Sequence, residues 1–230
     1  MRVTLPGRFC GPPNSGNGGY TAGVLAAHLE GAVEVTLRQP PPLERPLAVV
    51  RSDAGVELRD GDALVADAVP VALAVDAPPA VSWEEASTAS ASSMFRDASR
   101  HPFPSCFACG PDRSEGDGLR LFAGRVGDSG VFAAPWVPDD VSVPIVWAAL
   151  DCPSSAPAFA DPSMEGPFVL GRIAAVIARP PERGIPHVVT SAAIGRDGRK
   201  SFAVSAIRDP DGALCAIARA TWIQVAPPAT

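Results

Sequence analysis

One acidic side chain stands out because it ends an otherwise apolar run. Asp151 follows residues 145–150 (IVWAAL), which are typical of a buried helix, and Pro153 must end or kink that helix. A carboxylate in such surroundings is costly unless it is paired or used, and burial raises its pKa towards the range of a working base. Asp151 is therefore our candidate to activate water or to attack a carbonyl carbon. The alternative is a structural Asp that accepts hydrogen bonds from the N–H groups of Ser154 or Ser155.

A second candidate feature is the segment Asn17-Gly18-Gly19-Tyr20, which precedes a helical pattern. Glycines allow a substrate to approach the backbone closely, and N–H groups at the positive end of a helix can stabilise an oxyanion. The alternative is a flexible loop that enters a helix with Asn17 as its N-cap. Tyr20, the only tyrosine, is a candidate to line a substrate pocket, although an aromatic residue at a helix start more often packs.

Cys106 and Cys109 have the spacing of zinc ligands, but two cysteines make only half of a zinc site. The residues that could complete it are Cys10, Cys152, Cys215 and His101. Because no second Cys-x-x-Cys pair is present, we expect a tight turn that leads into a β-hairpin, and no metal. The sequence also lacks the Gly-x-Ser-x-Gly motif of serine hydrolases and a Gly-x-Gly-x-x-Gly dinucleotide loop.

Composition and charge exclude several classes of protein. Of the 230 residues, 47% are hydrophobic and 19% are charged, which is typical of a globular protein. The formal net charge is −6 and the 19 basic residues are scattered, so we expect no nucleic-acid partner. No apolar segment suits a signal peptide or a membrane span. The five cysteines then indicate reduced thiols, and we expect a cytoplasmic protein with no membrane partner and no cofactor.

The first half of the chain predicts one helix followed by antiparallel strands. Residues 2–9 predict a strand, and the helical spacing of apolar residues predicts a helix over 20–31 with Gly31 as its C-cap. Further strands are predicted over 33–38, 47–51, 56–62 and 63–75. Residues 77–105 predict a linker that packs across the surface and contains a short helix in its Ser/Ala-rich part.

The second half repeats this order. It predicts a hairpin over 118–126 and 129–137, and then a short helix over 143–152. The strands predicted after that helix are 168–179, 186–196, 200–208 and 213–225. We therefore expect two units, 1–76 and 106–230, joined by the linker. The fold class is α+β, with two antiparallel curved sheets that each wrap around one helix. The edge strand of one sheet can pair with that of the other, which gives one continuous sheet without an exposed edge there.

A weak internal repeat supports this division. LRQPP (37–41) matches ARPP (178–181), and LRDGD (58–62) matches GRDGR (195–199) at almost the same offset. In both halves a helix precedes the strand that ends in the Arg-Pro sequence. A coincidental match is the competing explanation, because these residue types are common in this chain.

Two segments resemble the hotdog-fold acyl-CoA thioesterases. They are CFACGPDRSEGDGLRLFAG (106–124) and WAALDC (147–152). Members of that superfamily carry a Cys-x-x-Cys-Gly and Gly-Leu-x-Leu segment, then a helix with His-Gly-Gly at its start and Leu-Asp near its end. NGGYTAGVLAA (17–27) is similar to the helix start of their N-terminal hotdogs. The resemblance implies a double-hotdog protein in which the two units form a pseudo-dimer.

The resemblance also implies a role for the helix acid. In that family the acid activates water, or attacks directly, at the thioester carbonyl, while backbone N–H groups at a helix start hold the oxyanion. By motif position the acid is Asp151. Where the family has His-Gly-Gly, residues 142–144 of this chain read Ser-Val-Pro, and Pro144 has no N–H to donate.

Each half of the chain has only one of the two catalytic features: the first half has the glycines at the helix start, and the second half has the acid at the helix end. Residues 17–19 hold the two glycines, but nine residues after Asn17 comes Ala26 and not an acid. We therefore expect one composite site, in which Gly18 and Gly19 donate amides and Asp151 acts as the base across the interface of the two units. The second, pseudo-equivalent site should be inactive.

The sequence is compatible with more than one function for a hotdog protein. Many family members place a Ser or Thr on the strand after the helix to orient water, but in 168–172 the only polar side chain is Arg172, which is our substrate-binding candidate on that strand. The first hypothesis is hydrolysis of an acyl-CoA or related acyl thioester, with arginines along a groove for the CoA phosphates and an apolar tunnel for the acyl chain. The second is a non-catalytic hotdog that binds an acyl thioester or a lipid-like metabolite. A hydratase ranks last because no Asp/His pair is visible, and a homodimer is open.

Overall fold

The computed structural model describes residues 1–226, and residues 227–230 lie outside the described part of the chain. The helices are α1 (Gly18–Ala26), α2 (Trp83–Ala91), α3 (Val143–Asp151) and α4 (Ala156–Phe159). The strands are β1 (Arg2–Thr4), β2 (Val33–Leu37), β3 (Pro46–Arg51), β4 (Val56–Asp60), β5 (Ala63–Pro70), β6 (Gly124–Arg125), β7 (Val131–Trp136), β8 (Phe168–Ile177), β9 (His187–Asp197), β10 (Lys200–Arg208) and β11 (Leu214–Gln224). The predicted α+β class is confirmed. Among residues 1–226, no helix has the length and apolar character needed to cross a membrane.

These strands form one sheet in the order β1-β3-β4-β5-β2-β8-β11-β10-β9-β7-β6. The order β1-β3-β4-β5-β2 in the first half recurs in the second half as β7-β9-β10-β11-β8. β2 and β8 pair antiparallel at the centre, with Val35 opposite Ile173 and Thr36 opposite Arg172. This pairing removes an edge that each half would otherwise expose, as the sequence led us to expect.

Helices α1 and α3 pack directly against each other beside the sheet. One hydrophobic cluster contains buried side chains from both helices and from both halves of the sheet, among them Leu25, Leu58, Leu150 and Ile173. Burial of this shared apolar surface is the main stabilising term for the arrangement. The two halves therefore share one core.

The start of α1 agrees with the sequence, but its end does not. Asn17 is the N-cap, and its Oδ1 accepts a hydrogen bond from the Tyr20 N–H at 2.8 Å. The helix ends at Ala26, so the predicted end at Gly31 is wrong. It ends early because the His28 N–H bonds to the carbonyl of Leu25, three residues back, and the backbone leaves the α-helical path there.

Several strands are shorter than predicted. β5 stops at Pro70 because its partner β2 begins opposite it, at Val33. The strand predicted over 118–126 contains only Gly124–Arg125, since Arg120 has a φ of 52° and breaks the extended path. The hairpin itself, β6 with β7, is confirmed. So is the short helix in the linker, α2, which begins with a capping box.

Candidate active site

Asp151 is the last residue of α3 and is almost completely buried. Its Oδ2 accepts a hydrogen bond of 2.8 Å from the backbone N–H of Gly19 at the start of α1. The side chain makes no hydrogen bond with Ser154 or Ser155. Ser154 Oγ instead donates to the backbone carbonyl of Asp151 at 2.6 Å. The sequence predicted that the acid of one helix and the glycines of the other would complement each other. These two helix ends lie in contact.

The close approach of α1 to α3 requires glycine at two positions one turn apart. A Cβ on Gly19 would lie 2.3 Å from the Cβ of Asp151 and 2.6 Å from the carbonyl oxygen of Trp147. A Cβ on Gly23 would lie 2.5 Å from the Cα of Pro144. Residues three and four apart share one face of a helix, so these two glycines form a flat face on which α3 packs. This face brings the Gly19 N–H within reach of Asp151.

The protonation of Asp151 is set mainly by its burial. Burial raises the pKa of Asp151 to about 7, while the Gly19 N–H and the Asn17 amide act in the opposite direction. Oδ1 has no hydrogen-bond partner among residues 1–226. A buried carboxylate oxygen without a partner is costly, and such groups concentrate at functional sites. The carboxylate thus has one oxygen held in place and one free to exchange a proton.

The start of α1 supplies a second backbone donor. Gly18 borders the same cavity as Asp151, and its N–H takes part in no hydrogen bond within the described residues. The first N–H groups of a helix lack intrahelical acceptors and carry partial positive charge. The Gly18 N–H is therefore available to an anionic or carbonyl oxygen in the cavity.

A cavity of about 360 Å³ lies between the start of α1, the end of α3 and strand β8. Its walls are mainly apolar, with Leu37, Phe95, Phe159, Phe168, Leu170 and Trp222 among the lining residues. Its polar side chains include Asn17, Arg38, Gln39, His101 and Asp151. A concave, mainly apolar space with a few convergent polar groups is the usual form of a small-molecule site.

Two residues that the sequence proposed for substrate binding do not border this cavity. The Tyr20 ring stacks on Phe9 with centroids 3.9 Å apart, and so it packs outside the cavity wall. Arg172 lies on the other side of β8, where it forms an ion pair with Glu34 at 3.3 Å. It lines a separate cleft together with Arg219.

The cysteines of the Cys-x-x-Cys segment lie at the wall of the cavity, where Cys152 joins them. The Sγ atoms of Cys106, Cys109 and Cys152 lie within 4.8 Å of one another and all three side chains are buried. Hydrogen bonds with the thiols of Cys109 and Cys152 lower the pKa of Cys106 well below its ordinary value. Asn17 Nδ2 lies 3.8 Å from Cys106 Sγ and 3.6 Å from Cys152 Sγ. From the sequence, Cys152 was only one of several residues that could complete a site with Cys106 and Cys109.

His101 borders the cavity beside these thiols. Its Nδ1 accepts a hydrogen bond from the Phe103 N–H at 3.0 Å. Burial lowers the pKa of His101, so the ring is neutral, and its proton is then on Nε2. Nε2 is buried and has no partner among residues 1–226. This donor is therefore free to bind an acceptor in the cavity.

A chain of hydrogen bonds, which no sequence pattern predicted, links the end of α3 to β11. Trp222 Nε1 donates to Ser154 Oγ at 2.8 Å, and Ser154 Oγ donates to the Asp151 carbonyl at 2.6 Å. Both side chains are buried. The chain fixes the backbone that carries Asp151.

We expect Ser154→Ala to lower the free energy of unfolding by about 1–3 kcal/mol, because it leaves the buried Trp222 N–H without an acceptor. Chemical denaturation followed by fluorescence measures the change. The matched control is Ser155→Ala, which removes a bond of 2.7 Å to the Cys152 carbonyl and leaves no donor unsatisfied. Equal effects of the two variants would contradict a specific role for the Trp222 bond.

Comparison with known proteins gives the fold. The chain aligns with a tesB protein of Mycobacterium avium subsp. paratuberculosis with a TM-score of 0.62 and 17% identity, over 98% of this chain and 93% of that one. It aligns with an acyl-CoA thioesterase II, TesB2, of Mycobacterium marinum with a TM-score of 0.59 and 12% identity, over 99% and 93%. A protein with a hotdog fold from Alicyclobacillus acidocaldarius aligns with a TM-score of 0.55 and 10% identity, over 98% and 93%. The chain has the fold of the hotdog thioesterases. The resemblance carried by residues 106–152 is confirmed at the level of fold.

The likeness to these hotdog proteins is visible in structure and weak in sequence. No protein-family model matches the chain, and no curated protein matches it. With identities of 10–17%, these neighbours establish the architecture of the chain. Its chemistry has to be inferred from its own residues.

Proposed function

We propose that this protein hydrolyses acyl thioesters, with acyl-CoA as the substrate class. The observation that carries the proposal is the contact between the Gly19 N–H and Asp151 Oδ2 at 2.8 Å beside an apolar cavity. It places a carboxylate and the start of a helix at one point, which is the combination that hydrolysis of a thioester carbonyl needs. The name of the TesB2 neighbour, an acyl-CoA thioesterase II, supports the same reaction class.

The proposed mechanism divides the work between the two helices. The Gly18 N–H donates to the thioester carbonyl oxygen and stabilises the negative charge that develops there. Gly19 holds Asp151 through Oδ2, so that Oδ1 accepts a proton as water attacks the carbonyl carbon. When the tetrahedral intermediate collapses, the C–S bond breaks and Asp151 returns the proton to the departing sulfur. The products are a carboxylic acid and a free thiol.

The cavity suggests how the substrate lies. The acyl group would occupy the apolar part formed by phenylalanine, leucine and tryptophan side chains. Arg38 is the only arginine among the lining residues, and it is half-exposed and paired with Asp67. We propose that the CoA moiety leaves the cavity past Arg38, which can exchange its carboxylate partner for a phosphate oxygen.

We further propose that the chain is a double hotdog with units 1–76 and 106–230 and a linker over 77–105. The repeated strand order and the central pairing of β2 with β8 support a pseudo-dimer. On this account the second pseudo-equivalent site is inactive, because Pro144 occupies the start of α3 and Ala26 the end of α1. Assembly into a homodimer and a cytoplasmic location stay predictions.

One observation favours a second candidate function, the binding of an acyl thioester or lipid-like metabolite without turnover. Asp151 itself occupies the Gly19 N–H, so that one of the two predicted oxyanion donors is already used. A site with a single remaining donor would bind a carbonyl but stabilise its transition state less.

An acyl-CoA panel tests the proposal and separates the two candidates. Short, medium, long and aromatic acyl-CoAs are incubated with the protein, and loss of the intact thioester is followed by chromatography, because the protein's own thiols interfere with thiol reagents. Thioester loss above the rate without protein, for at least one substrate, is the expected result. Thermal stabilisation by an acyl-CoA that survives intact would favour the binding function, and no effect of any kind would contradict both.

A further inference from the structure

Three cysteine side chains meet at the cavity although they come from two separate parts of the chain. The Sγ atoms of Cys106, Cys109 and Cys152 lie within 4.8 Å of one another, and Cys106 Sγ and Cys152 Sγ are 3.6 Å apart. A tetrahedral ion with Zn–S bonds of about 2.3 Å holds its sulfur ligands roughly 3.8 Å apart. The observed spacing therefore fits a shared ion after small side-chain adjustments.

The turn that carries two of these thiols is fixed by its backbone. The Gly110 N–H bonds to the Cys106 carbonyl at 2.8 Å, and the Leu121 N–H bonds to the Ala108 carbonyl at 2.9 Å. A Cβ on Gly110 would lie 2.5 Å from the carbonyl oxygen of Cys106, so the turn requires glycine after the second cysteine. A ligand pair held by such a turn loses little conformational freedom when it binds.

Besides the carboxylate of Asp151, the cysteine cluster has a side-chain donor close to two of its sulfur atoms. Asn17 Nδ2 lies 3.8 Å from Cys106 Sγ and 3.6 Å from Cys152 Sγ. Asn17 cannot present its acceptor instead, because its Oδ1 is held by the Tyr20 N–H. Such a donor suits a thiolate, which is a strong acceptor, better than a thiol, and several thiolates can lie together in a buried place only if a cation joins them.

His101 is an independent sign of a ligand at this place. The side chain is 6% exposed, borders the same cavity and leaves Nε2 without a partner. Because Nδ1 accepts from the Phe103 N–H, the neutral ring carries its proton on Nε2. In this tautomer the Nε2–H of His101 is an unused donor at the same cavity as the three cysteines.

We propose that Cys106, Cys109 and Cys152 bind one zinc ion. Zinc is favoured because soft thiolate ligands in a tetrahedral arrangement select it among the common divalent ions. On binding, the ion displaces one proton from each thiol. This proposal replaces the expectation of no metal that we drew from the sequence, where only half of the site was visible.

The zinc site has a structural consequence for the cavity. All three cysteines line the cavity wall, so the fourth coordination position opens into it. The ion ties the turn over 106–110 to the residue that directly follows Asp151. It thereby fixes the end of α3 against the rest of the second half. The inference does not depend on the proposed hydrolysis, since it concerns only the thiols and their neighbours.

Metal binding by the reduced, full-length protein tests this inference. The protein is stripped with a chelator, titrated anaerobically with Zn²⁺, passed through a desalting column and analysed for metal content. We expect one zinc per chain for the wild type and less than about a tenth of that for Cys109→Ser. The matched control is Cys215→Ala, which changes a buried cysteine outside the cluster and should keep the full amount.

Cobalt identifies the ligands without reference to activity or to the stability of the variants. Wild-type protein loaded with Co²⁺ should show the visible bands of a tetrahedral ion and a sulfur-to-cobalt charge-transfer band in the near ultraviolet. No retained zinc in the reduced wild type would overturn the proposal, as would equal retention by Cys109→Ser. A Cys106–Cys152 disulfide in freshly isolated protein would also overturn it, because it would show that these thiols form a redox pair.

Discussion

Asp151→Asn is expected to lower turnover of the best acyl-CoA substrate by roughly 10²–10⁴-fold, because the amide cannot accept the proton of the attacking water. The side chain keeps its shape, and its Oδ1 can still accept the Gly19 hydrogen bond. The variant also removes a carboxylate from a buried position, so the melting temperature should stay the same or rise. Initial rates at saturating substrate, together with thermal unfolding, measure both effects.

The control for this variant is Asp128→Asn, which makes the same change at an exposed turn. It should leave both turnover and stability unchanged. Binding of a non-hydrolysable acyl-CoA analogue to Asp151→Asn should remain close to that of the wild type, since the apolar walls of the cavity are intact. Turnover close to the wild-type rate, or a large fall in melting temperature, would show that Asp151 has a structural role instead.

Gly19→Ala is expected to destabilise the protein by about 3 kcal/mol or more. The new methyl group would lie 2.6 Å from the Trp147 carbonyl oxygen and 3.0 Å from the Ala148 Cα, and these backbone atoms can move only if α1 and α3 separate. For a chain of this size the melting temperature should fall by roughly 6–12 °C. Separation of the helices also breaks the Gly19–Asp151 bond, so turnover should fall with stability.

Gly18→Ala is the matched control, because it adds the same methyl group one residue earlier in the same helix. There the nearest atoms are the methyl carbons Leu170 Cδ2 at 2.9 Å and Leu37 Cδ1 at 3.1 Å, which can rotate away, and Leu170 Cβ at 3.0 Å, which needs only a small shift. Its effect on the melting temperature should be much smaller. Similar falls in melting temperature for the two variants would contradict the idea that backbone contact between the helices determines the geometry at Asp151.

Local patterns in the sequence located most helices and strands because they depend on neighbouring residues. The N-cap at Asn17, the short helix in the linker and the strands of the second half all follow from spacing and turn residues. The ends of elements were less predictable. Arg120 adopts a positive φ, and the early end of α1 depends on backbone bonds that no residue type announces.

The candidate site likewise contains some residues that local sequence patterns reveal and others that only the fold brings together. The glycines and Asp151 could be singled out because an acid in an apolar run and a Gly-Gly helix start are visible locally. Cys152 could not be assigned to the pair Cys106 and Cys109, since 46 residues separate it from the first of them and only the fold brings them together. The donor role of His101 depends on its contact with the Phe103 N–H, which is a property of the folded loop.

The most direct test of the central claim is a crystal structure of Asp151→Asn with an intact acyl-CoA. Because this variant should bind without hydrolysis, it can trap the substrate. We expect the acyl chain to lie in the cavity, the thioester carbonyl oxygen to lie within hydrogen-bond distance of the Gly18 N–H, and the carbonyl carbon to lie next to residue 151. An acyl-CoA bound elsewhere, for example in the cleft beside Arg172 and Arg219, would contradict it.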